Sequence, residues 1–395
     1  MIARALFDQV LGRLTTGGVI VHYWDGKTKN YGPGEPYFEI TIKHPRVLRA
    51  MLRNLSLGFG EAYMDGSLEI QGDILKVSQL AAKNQSTFKP LAKLSSLRPR
   101  QPNKLRRQRS QIAHHYDLGN DFYKLWLDES MTYSCAYFRH ESDSLELAQN
   151  QKVDHVLRKL QLQKGQSLLD IGCGWGKLLI AAAKQYGVRG HGITLSDEQF
   201  KLAQTRVAEA GLSDQITIEL LNYQDLARRD ITFDRIVSVG MYEHVGRGNH
   251  ATYFRAIDKL LAPGGLSVLH TITNSQAESN DAWVDKYIFP GGYIPAAAAT
   301  LHVLEAHGFE LWDYENLRFH YALTLEEWLR RYEGHKTEVI QRYDEQFYRM
   351  WRLYLANSAT SFRYGSLSLS QFTFSRDAQP GLPLTREHLY GRSPN

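Results

Sequence analysis

Short apolar runs recur through the second half of the chain, and helical patterns of polar and apolar positions separate them. The five runs that follow one another most closely are Gln166–Ile171, Val188–Ile193, Gln215–Leu220, Asp234–Val239 and Leu266–Ile272. Two later segments, Phe309–Leu317 and Ser370–Phe374, have the composition of further strands. Strands that alternate with helices of this length predict an α/β domain, with a parallel sheet covered by helices on both faces.

The first part of the chain has a different pattern, which predicts a small α+β domain. Strands are predicted over Gly18–Trp24 and Tyr37–Lys43, where apolar residues alternate or run together. A helix is predicted over Pro45–Asn54, because proline suits the first turn of a helix. Asp73 is placed to cap another helix that extends to Lys83.

One long helix is predicted near the end of the chain, over Thr337–Phe362. Its apolar stripe consists of Ile340, Tyr343, Phe347, Met350, Trp351, Tyr354 and Leu355. A stripe at this spacing is typical of packing in a core or under a lid, and it does not indicate a cofactor site.

A basic segment separates the two patterns. Its nine basic residues, with no acidic residue between them, are Lys83, Lys89, Lys93, Arg98, Arg100, Lys104, Arg106, Arg107 and Arg109. Prolines interrupt the same stretch, so it is predicted to be a linker over residues 86–110. The N-terminal domain then occupies residues 1–85 and the larger domain residues 111–395. A solvated connector is the favoured interpretation of the linker, and a contact with anionic lipid is the alternative.

Composition narrows the class of protein further. The net charge of +5 fits an anionic surface without requiring one, and we expect no nucleic-acid partner. The only two cysteines, Cys135 and Cys173, lie in different motifs, so no disulfide framework is predicted and a reducing cytoplasm is expected. The sequence shows neither an apolar signal core nor a stretch long enough to span a bilayer. Any contact with lipid is therefore expected at a membrane surface.

The segment Leu168–Gly176 reads L-L-D-I-G-C-G-W-G and predicts a ligand-binding turn. Its glycines follow a strand and precede a helix, where the absence of Cβ atoms lets a ligand approach the backbone. A dinucleotide site would usually have an acid at the end of the second strand, but that strand ends in G-I-T-L-S. The spacing also departs from G-x-G-x-x-G. The D-x-G-x-G-x-G form, and the L-A-P-G-G at Leu261–Gly265, resemble S-adenosylmethionine-dependent methyltransferases instead.

Further segments narrow the resemblance. They are H-H-Y-D-L-G-N-D-F-Y (His114–Tyr123), Y-S-C-A-Y-F (Tyr133–Phe138), V-G-M-Y-E-H-V-G (Val239–Gly246), H-T-I (His270–Ile272), K-Y-I-F-P-G-G (Lys286–Gly292) and G-E-A-Y-M-D-G (Gly60–Gly66). Together they closely resemble the cyclopropane-fatty-acid-phospholipid synthases, over essentially the whole chain. The resemblance implies a Rossmann-like class I methyltransferase sheet, with the small α+β domain in front of it.

The resemblance also implies a reaction. A methylene group would pass from S-adenosylmethionine to a cis double bond in an unsaturated acyl chain of a phospholipid. The double bond attacks the sulfonium methyl, a carbocation forms, and a base removes a proton so that the ring closes. The site must then be dry, tolerant of a cation and equipped with a base. Aromatic faces favour a nearby cation, and the candidates are Tyr133, Tyr137, Phe138, Tyr293 and Tyr321.

The resemblance implies that the base is a bicarbonate ion. Its catalytic cradle would consist of Cys135, Glu243, His270, the backbone of Ile272 and Tyr321. Burial and a neighbouring anion both raise the pKa of a carboxyl group, so we expect Glu243 to share or hold a proton. Cys135 is expected to be a hydrogen-bonding wall and not a nucleophile.

Simpler structural roles compete with these assignments. Taken alone, Cys135 and His270 would be ordinary buried core residues, and Glu243 could cap a helix. His114 and His115 lack the i, i+4 spacing of a helical metal pair, so no metal site is predicted.

The expected cofactor contacts follow the same motifs. They are Tyr133, Ser134, Gly172 and Gly174 toward the methionine end, Asp170 at the carboxyl end of the first strand of the sheet, Thr194, Leu195 and Gln199 toward the ribose, and Asn222 with Tyr223 at the adenine position. The family often has Asp before the aromatic residue at the adenine position, and this chain has Asn222. An asparagine oxygen can still accept a hydrogen bond from the adenine amino group.

Three other functions remain open at this point. A methyl-branch-forming fatty acid methyltransferase would act on the same double bond, a small-molecule O- or N-methyltransferase would need no anion cradle, and a lipid-binding protein would need no catalysis. The N-terminal domain is expected to dock the enzyme on an anionic bilayer surface and is a candidate for a homodimer contact. The expected location is the cytoplasm, peripherally at the inner face of the cell membrane.

Overall fold

The computed structural model describes residues 2–88, 118–246, 248–275, 278–279, 281–379 and 381–390. Residues 89–110 of the predicted linker, together with His114 and His115, lie outside this part of the chain. The strands are β1 (Gly18–Tyr23), β2 (Thr28–Tyr31), β3 (Pro36–Ile42), β4 (Leu68–Gln71), β5 (Ser167–Ile171), β6 (Arg189–Thr194), β7 (Ile216–Leu220), β8 (Phe233–Val239), β9 (Leu261–Asn274), β10 (Glu278–Ser279), β11 (Tyr293–Ile294), β12 (Glu310–Asn316) and β13 (Leu367–Ser375).

The helices alternate with these strands, and a 3₁₀ turn lies at Tyr242–His244. The helices are α1 (Ile2–Leu11), α2 (Pro45–Arg53), α3 (Leu55–Met64), α4 (Ile74–Lys83), α5 (Asn120–Lys124), α6 (Leu145–Lys159), α7 (Lys177–Tyr186), α8 (Asp197–Glu209), α9 (Tyr223–Leu226), α10 (His250–Leu260), α11 (Ala282–Tyr287), α12 (Ala297–Ala306), α13 (Arg318–Gly334), α14 (Lys336–Arg342), α15 (Glu345–Arg363) and α16 (Glu387–Tyr390).

The chain folds into two compact units, and neither is continuous in sequence. The first contains the described residues of Met1–Gln101, Asn280–Pro290 and Leu325–Ser366, and the second those of Pro102–Ser279, Gly291–Thr324 and Leu367–Asn395. The predicted division into 1–85 and 111–395 is therefore wrong for two later segments, which fold with the first unit.

Packing within the first unit explains this correction. Its sheet has the order β2-β1-β3-β4, with β1 and β3 parallel, and Asp73 caps α4 as predicted by accepting from the Leu75 N–H. Helix α15 packs against α3 and α4. Arg349 on α15 pairs with Glu69 at 3.0 Å, and Arg352 donates to the Tyr63 hydroxyl at 2.8 Å. An amphipathic helix late in the chain thus completes the core of the N-terminal unit, a contact that no local pattern specifies.

The long helix predicted near the end of the chain is two helices in the structure. Helix α14 ends at Arg342, and α15 begins after Asp344, whose carboxylate accepts from the Phe347 N–H at 2.6 Å. The interruption has a local cause, because an aspartate at this position caps a new helix better than it continues an old one. Trp351, Tyr354 and Leu355 of the predicted stripe are buried.

The second unit contains a seven-stranded sheet, and it confirms the predicted α/β fold. The strand order is β12-β13-β9-β8-β5-β6-β7, in which β5 to β9 are parallel and β13 is antiparallel to both its neighbours. Successive β5 residues enter different apolar clusters. Leu168 packs with the cluster that contains Leu179 of α7, and Leu169 with the cluster that contains Phe254 of α10. Helices therefore cover both faces of the sheet.

The predicted strands of this sheet are confirmed to within a few residues, with one difference. Leu261–Gly265, predicted to precede the fifth strand, forms the first part of β9, where the pairing with β8 is irregular between Phe233 and Arg235. Within the described residues, no helix has the combined length and apolar character that crossing a membrane requires.

Candidate active site

A pocket opens in the second unit at the carboxyl ends of β5, β6, β7 and β8. In this sheet the chain order runs from β5 outward to β7 and then returns to β8 on the other side of β5. Such a switch in strand order leaves a crevice in which open α/β sheets bind ligands. The pocket has about 1150 Å³ of space including its mouth, enough for a nucleoside-sized ligand.

The glycine loop forms the floor of this pocket. Gly172 and Gly174 have φ values of 85° and 54°, in the left-handed region that glycine tolerates. A Cβ on Gly172 would lie 2.9 Å from the Cβ of Met241, so the loop and the segment after β8 approach too closely for a side chain. The Gly172 N–H donates to the Ile193 carbonyl at 2.9 Å, which holds the loop against the end of β6.

All ten predicted cofactor residues line this one pocket. They are Tyr133, Ser134, Asp170, Gly172, Gly174, Thr194, Leu195, Gln199, Asn222 and Tyr223. They come from the loop before α6 and from the segments at and after the ends of β5, β6 and β7, and the fold brings them together although Tyr133 and Tyr223 are far apart in the sequence. The structure therefore places the predicted cofactor residues around one pocket.

Two of these residues make contacts within the pocket wall that the sequence did not predict. The Thr194 hydroxyl donates to Gln199 Oε1 at 2.8 Å, which leaves the Gln199 amide N–H groups as donors at the predicted ribose position. Asn222 Oδ1 accepts from the Gln224 N–H at 2.8 Å and caps α9. This oxygen is thus held in place by the first turn of α9.

Aromatic side chains cover the pocket beside Tyr133. Its ring lies 5.5 Å from that of Tyr123 and 5.4 Å from that of Trp126, measured between centroids. Trp175 of the glycine loop donates its indole N–H to Asn120 Oδ1 at 2.8 Å. The described part of the predicted H-H-Y-D-L-G-N-D-F-Y motif is therefore attached directly to the glycine loop.

Glu243 and Ile272 of the predicted cradle are in direct contact. The Ile272 N–H donates to Glu243 Oε1 at 2.6 Å, and Glu243 Oε2 is buried without a hydrogen-bond partner among the described residues. Burial raises the pKa of Glu243 to about 7, against the hydrogen bond from Ile272, which lowers it. The backbone N–H of Ile272 is therefore used by Glu243, and it is the second carboxyl oxygen that remains for a ligand.

His270 lies two residues before Ile272 on β9 and faces the same side of the strand. Its Nδ1 lies 3.0 Å from Nε2 of Gln371, and its Nε2 is buried without a partner in the described part of the chain. Burial lowers the pKa of His270 well below its usual value, so the imidazole is neutral. An amide N–H donor at Nδ1 leaves the single ring proton on Nε2.

The segment that contains Cys135 is hydrogen-bonded to α13, the helix that carries Tyr321. The Ala136 N–H, next to Cys135, donates to the Thr324 hydroxyl at 3.0 Å, and Tyr321 lies three residues before Thr324 on that helix. The Cys135 thiol is fully buried, and burial raises its pKa. The start of α13 is tied to the sheet by the Leu317 N–H, which donates to the Leu369 carbonyl at 2.8 Å, opposite Ile272 in the strand register.

Comparisons with known proteins show the family of the chain. The model of the family described as mycolic acid cyclopropane synthetase matches residues 103–372. The chain belongs to this family. A second model, for a domain of unknown function, matches residues 6–93.

Relatives of the family match almost the whole chain. The chain is 40% identical over 354 residues to the cyclopropane-fatty-acyl-phospholipid synthase of Escherichia coli (strain K12), covering 88% of this chain and 90% of that protein. It is 37% identical over 377 residues to a probable fatty acid methyltransferase of Pseudomonas putida, covering 93% of this chain and 95% of that protein. A crystal structure of mycolic acid cyclopropane synthase CmaA1 with SAH and CTAB superposes with a TM-score of 0.63 at 34% identity, over 67% of this chain and 97% of that one. The protein is thus an S-adenosylmethionine-dependent methyltransferase of this family.

The sequence did not predict Lys152, which lines the same pocket. Its Nζ donates to the Ser134 hydroxyl at 2.8 Å, and only 3% of the residue is exposed. Burial lowers the pKa of Lys152 to about 8. A lysine on an amphipathic helix usually faces solvent, so no local signal marked this residue.

A polar row on the sheet extends from His270 and was also not predicted. His270, Gln371 and Glu315 are register partners across β9, β13 and β12, so their side chains share one face of the sheet. Glu315 accepts from His155 at 2.6 Å and from Lys159 at 2.7 Å. Burial acts to raise the pKa of Glu315, but the His155 hydrogen bond and the Lys159 charge outweigh it and lower the pKa to about 2.

Tyr137, one of the aromatic candidates for cation stabilisation, has both ring faces covered. His155 stacks on one face at 4.3 Å and His320 on the other at 4.7 Å, between ring centroids. A ring enclosed in this way cannot offer a face to a reacting acyl chain, so the expectation for Tyr137 is wrong. In the described residues, no group of three or more His, Cys, Asp or Glu side chains could hold a metal ion.

Proposed function

We propose that this methyltransferase converts the cis double bond of unsaturated acyl chains in membrane phospholipids to a cyclopropane ring, with a bound bicarbonate ion as the base. The observation that carries the proposal is the pair of buried polar atoms on β9 and in the turn after β8. His270 Nε2 and Glu243 Oε2 have no partner among the described residues. His270 lies within β9, and Glu243 lies in the turn after β8, close in sequence to Met241 and His244, which line the cofactor pocket. The name of the E. coli relative supports the same reaction.

A bicarbonate ion fits the chemistry of these two atoms. The neutral imidazole of His270 offers an N–H donor, because Gln371 occupies its other nitrogen. Glu243 can donate when it is protonated, and its raised pKa of about 7 keeps much of that form near neutral pH. When bound, bicarbonate would supply the base that accepts the proton lost from the transferred methyl group.

The residues of the chain have separate tasks in this proposal. The glycine loop and Tyr133 would hold the methyl donor, and the neutral imidazole of His270 and the protonated form of Glu243 would hold the anion. Cys135 and Tyr321 close the cradle on the α13 side. A thiol whose pKa is raised by burial is a poor nucleophile. This supports the proposal that Cys135 lines the cradle as a hydrogen-bonding group and does not react covalently.

The reaction product is the decisive test. The full-length protein is incubated with S-adenosylmethionine and vesicles of an unsaturated phospholipid, and the acyl chains are analysed by mass spectrometry after chromatography against ring and branch standards. A cyclopropane product, with turnover that falls when bicarbonate is removed, supports the proposal. A product without bicarbonate dependence overturns the base assignment, and no lipid product overturns the substrate assignment.

A methyl-branched product is the second candidate. The relative from Pseudomonas putida matches more of this chain than the E. coli enzyme does, and it is described as a probable fatty acid methyltransferase. A branch forms when the carbocation loses a proton to give an alkene and a hydride donor then reduces this alkene, so that route requires a reductant. The intact pair of Glu243 and His270 favours the ring.

The proposal includes where the enzyme acts. The net charge of +5 and the basic segment before residue 110 favour an anionic bilayer surface, with the N-terminal unit as the docking part and as the homodimer contact. In the cell this is the cytoplasmic face of the membrane. Flotation of the full chain with anionic vesicles, and its absence with zwitterionic ones, would support docking; equal flotation with both would contradict it.

A further inference from the structure

Helix α6 buries two lysines, and they have different partners. Lys152 and Lys159 are seven residues apart, two turns of the helix, and each is 3% exposed. Lys159 pairs with Asp313 at 3.0 Å and with Glu315 at 2.7 Å. Lys152 donates one hydrogen bond, to the Ser134 hydroxyl, and within the described residues no carboxylate lies within 4.0 Å of its Nζ. One buried ammonium is thus neutralised inside the protein and the other is not.

An ammonium group that is buried without a counter-ion is costly, because desolvation disfavours its charge. Asp170, which lines the same pocket, shows the complementary feature, since its Oδ1 is buried and has no hydrogen-bond partner in the described part of the chain. The two side chains line the same pocket but do not form an ion pair with each other. The pocket therefore offers one cationic and one anionic group, and each is only partly satisfied.

A zwitterion is the ligand that satisfies both groups at once. S-adenosylmethionine ends in an α-amino acid, with an ammonium and a carboxylate on the same carbon. We propose that Lys152 binds the α-carboxylate of the methyl donor, while Asp170 faces its α-ammonium group. Ser134, bonded to the Lys152 ammonium, fixes the direction of the lysine side chain. This inference rests on the cofactor site of the proposed function and not on the lipid or the base.

The test compares two ligands that differ only in the carboxylate. Binding of S-adenosylmethionine and of decarboxylated S-adenosylmethionine to the full-length protein is measured by calorimetry without lipid. A Lys152→Met variant keeps the length of the side chain and removes its charge. We expect it to bind S-adenosylmethionine about tenfold to a hundredfold more weakly, as the loss of a charged hydrogen bond predicts, and the decarboxylated ligand with less than about twofold change.

A second lysine provides the matched control. Lys177 lines the same pocket, but its Nζ donates to Asn150 Oδ1 at 2.6 Å. The Lys177→Met variant removes the same charge from the pocket, and we expect it to change both affinities by similar factors. Retained binding of the decarboxylated ligand shows that each variant is folded.

Proton uptake gives a readout that a merely structural lysine would not change. Burial lowers the pKa of Lys152 to about 8, and a bound carboxylate would raise it again. The charged or titratable groups that act on it are Asp128, Cys135, Asp170 and Lys177. Near pH 8.5, S-adenosylmethionine should therefore be bound with proton uptake, seen as a heat that depends on the ionisation enthalpy of the buffer. Lys152→Met should take up fewer protons than wild type on binding S-adenosylmethionine, and the two proteins should not differ with the decarboxylated ligand.

The contrary outcomes are distinct. Equal losses for the two ligands in Lys152→Met would overturn the carboxylate contact and leave a general packing role for Lys152. In Lys152→Met, both affinities could stay unchanged while turnover depends differently on bicarbonate. This result would overturn the carboxylate contact and assign Lys152 to the bicarbonate cradle. Failure of the wild-type protein to bind S-adenosylmethionine would overturn the proposed function itself.

Discussion

The carboxylate of Glu243 accepts a hydrogen bond from the backbone N–H of Ile272 at 2.6 Å, and this contact joins the turn after β8 to the carboxyl end of β9. The bond uses one carboxyl oxygen and leaves the other buried without a partner among the described residues. The same side chain thus connects two central strands and presents a proton-carrying group to a ligand. These two roles can be separated by mutation.

A Glu243→Gln substitution keeps the oxygen that accepts from Ile272 and replaces the titrating oxygen by an amide. We expect the thermal unfolding temperature to stay within about 2 °C of wild type, because the structural bond persists. Turnover should fall about 10²-fold or more, the range usual for a lost proton-transferring group. Glu243→Ala, the comparison variant, should lower both. A glutamine variant with normal turnover would show that the proton on Glu243 has no role.

Stability should decrease as the pH rises from about 4 to 7 through two buried carboxyl groups. Burial raises the pKa of Asp170 and of Glu243 to about 7 each, above the values of 3.8 and 4.5 usual for these groups. The unfolded chain loses these protons at lower pH than the folded one, so the contribution is fully present below about pH 4 and is lost as the pH passes 7. Thermal unfolding of wild type and Asp170→Asn at several pH values should converge at low pH and separate toward pH 7, with the variant the more stable. A constant difference would contradict the raised pKa of Asp170.

Gln371 should determine which nitrogen of His270 carries the proton. Its amide lies 3.0 Å from His270 Nδ1, and the two residues are 101 positions apart. Gln371→Glu places a carboxylate there, which can only accept when ionised, so the ring proton should move to Nδ1. Nitrogen-15 NMR of labelled histidine reads the tautomer directly, with His270→Asn used to assign the signal. Turnover should fall about tenfold in parallel. A wild-type ring protonated at Nδ1 would contradict this assignment.

Glycine at position 172 should be required for S-adenosylmethionine binding because an added side chain would clash there, and not only because of its backbone conformation. Alanine at Gly172 adds a Cβ 2.9 Å from that of Met241, at a φ of 85°. Gly165 has a nearly equal φ of 84°, but nothing lies within 4 Å of an added Cβ. Gly165→Ala should therefore cost about 1 kcal/mol and leave S-adenosylmethionine binding unchanged, whereas Gly172→Ala should weaken binding about tenfold or more. Calorimetry on both variants checks the difference, and equal affinities would exclude the clash.

The buried pair of Glu315 and Lys159 should contribute more to stability than an exposed pair. Glu315→Gln leaves the Lys159 ammonium, whose side chain is 1% exposed, with Asp313 as its remaining carboxylate partner. We expect a loss of about 2 to 4 kcal/mol in urea unfolding, since a buried charge becomes undercompensated. In the exposed pair of Asp121 and Lys124, Asp121→Asn should change stability by less than about 0.5 kcal/mol.

The stability contribution of Glu315 should change with pH in the opposite direction to that of Asp170. The pKa of Glu315 is lowered to about 2, below the 4.5 usual for glutamate, so its contribution is present above about pH 4.5 and is lost as the pH falls toward 2. The stability difference between wild type and Glu315→Gln should therefore shrink between these values. A difference that persists at pH 2 would show that the charge of Glu315 is not its cause.

The sequence by itself determined the parallel sheet, the glycine loop and the residues after the strands that line one pocket. Strand periodicity is a local property, and residues that directly follow parallel strands must meet at one edge of the sheet. For this reason the motifs after β5, β6 and β7 could be combined into one site before any contact was known.

Only the tertiary structure decided the remaining features. Helix α15 folds with the first unit because its apolar face finds α3 and α4, and the pattern of that face does not state its partner. Lys152 is indistinguishable in sequence from a solvated lysine, and its meaning comes from being buried beside Ser134 without a carboxylate within 4.0 Å in the described part of the chain. The His270–Gln371 and Glu243–Ile272 contacts join strands and turns that the chain order separates. Periodicity specifies which face of an element is buried, whereas burial, tautomer and pKa depend on the groups that the rest of the fold places against that face.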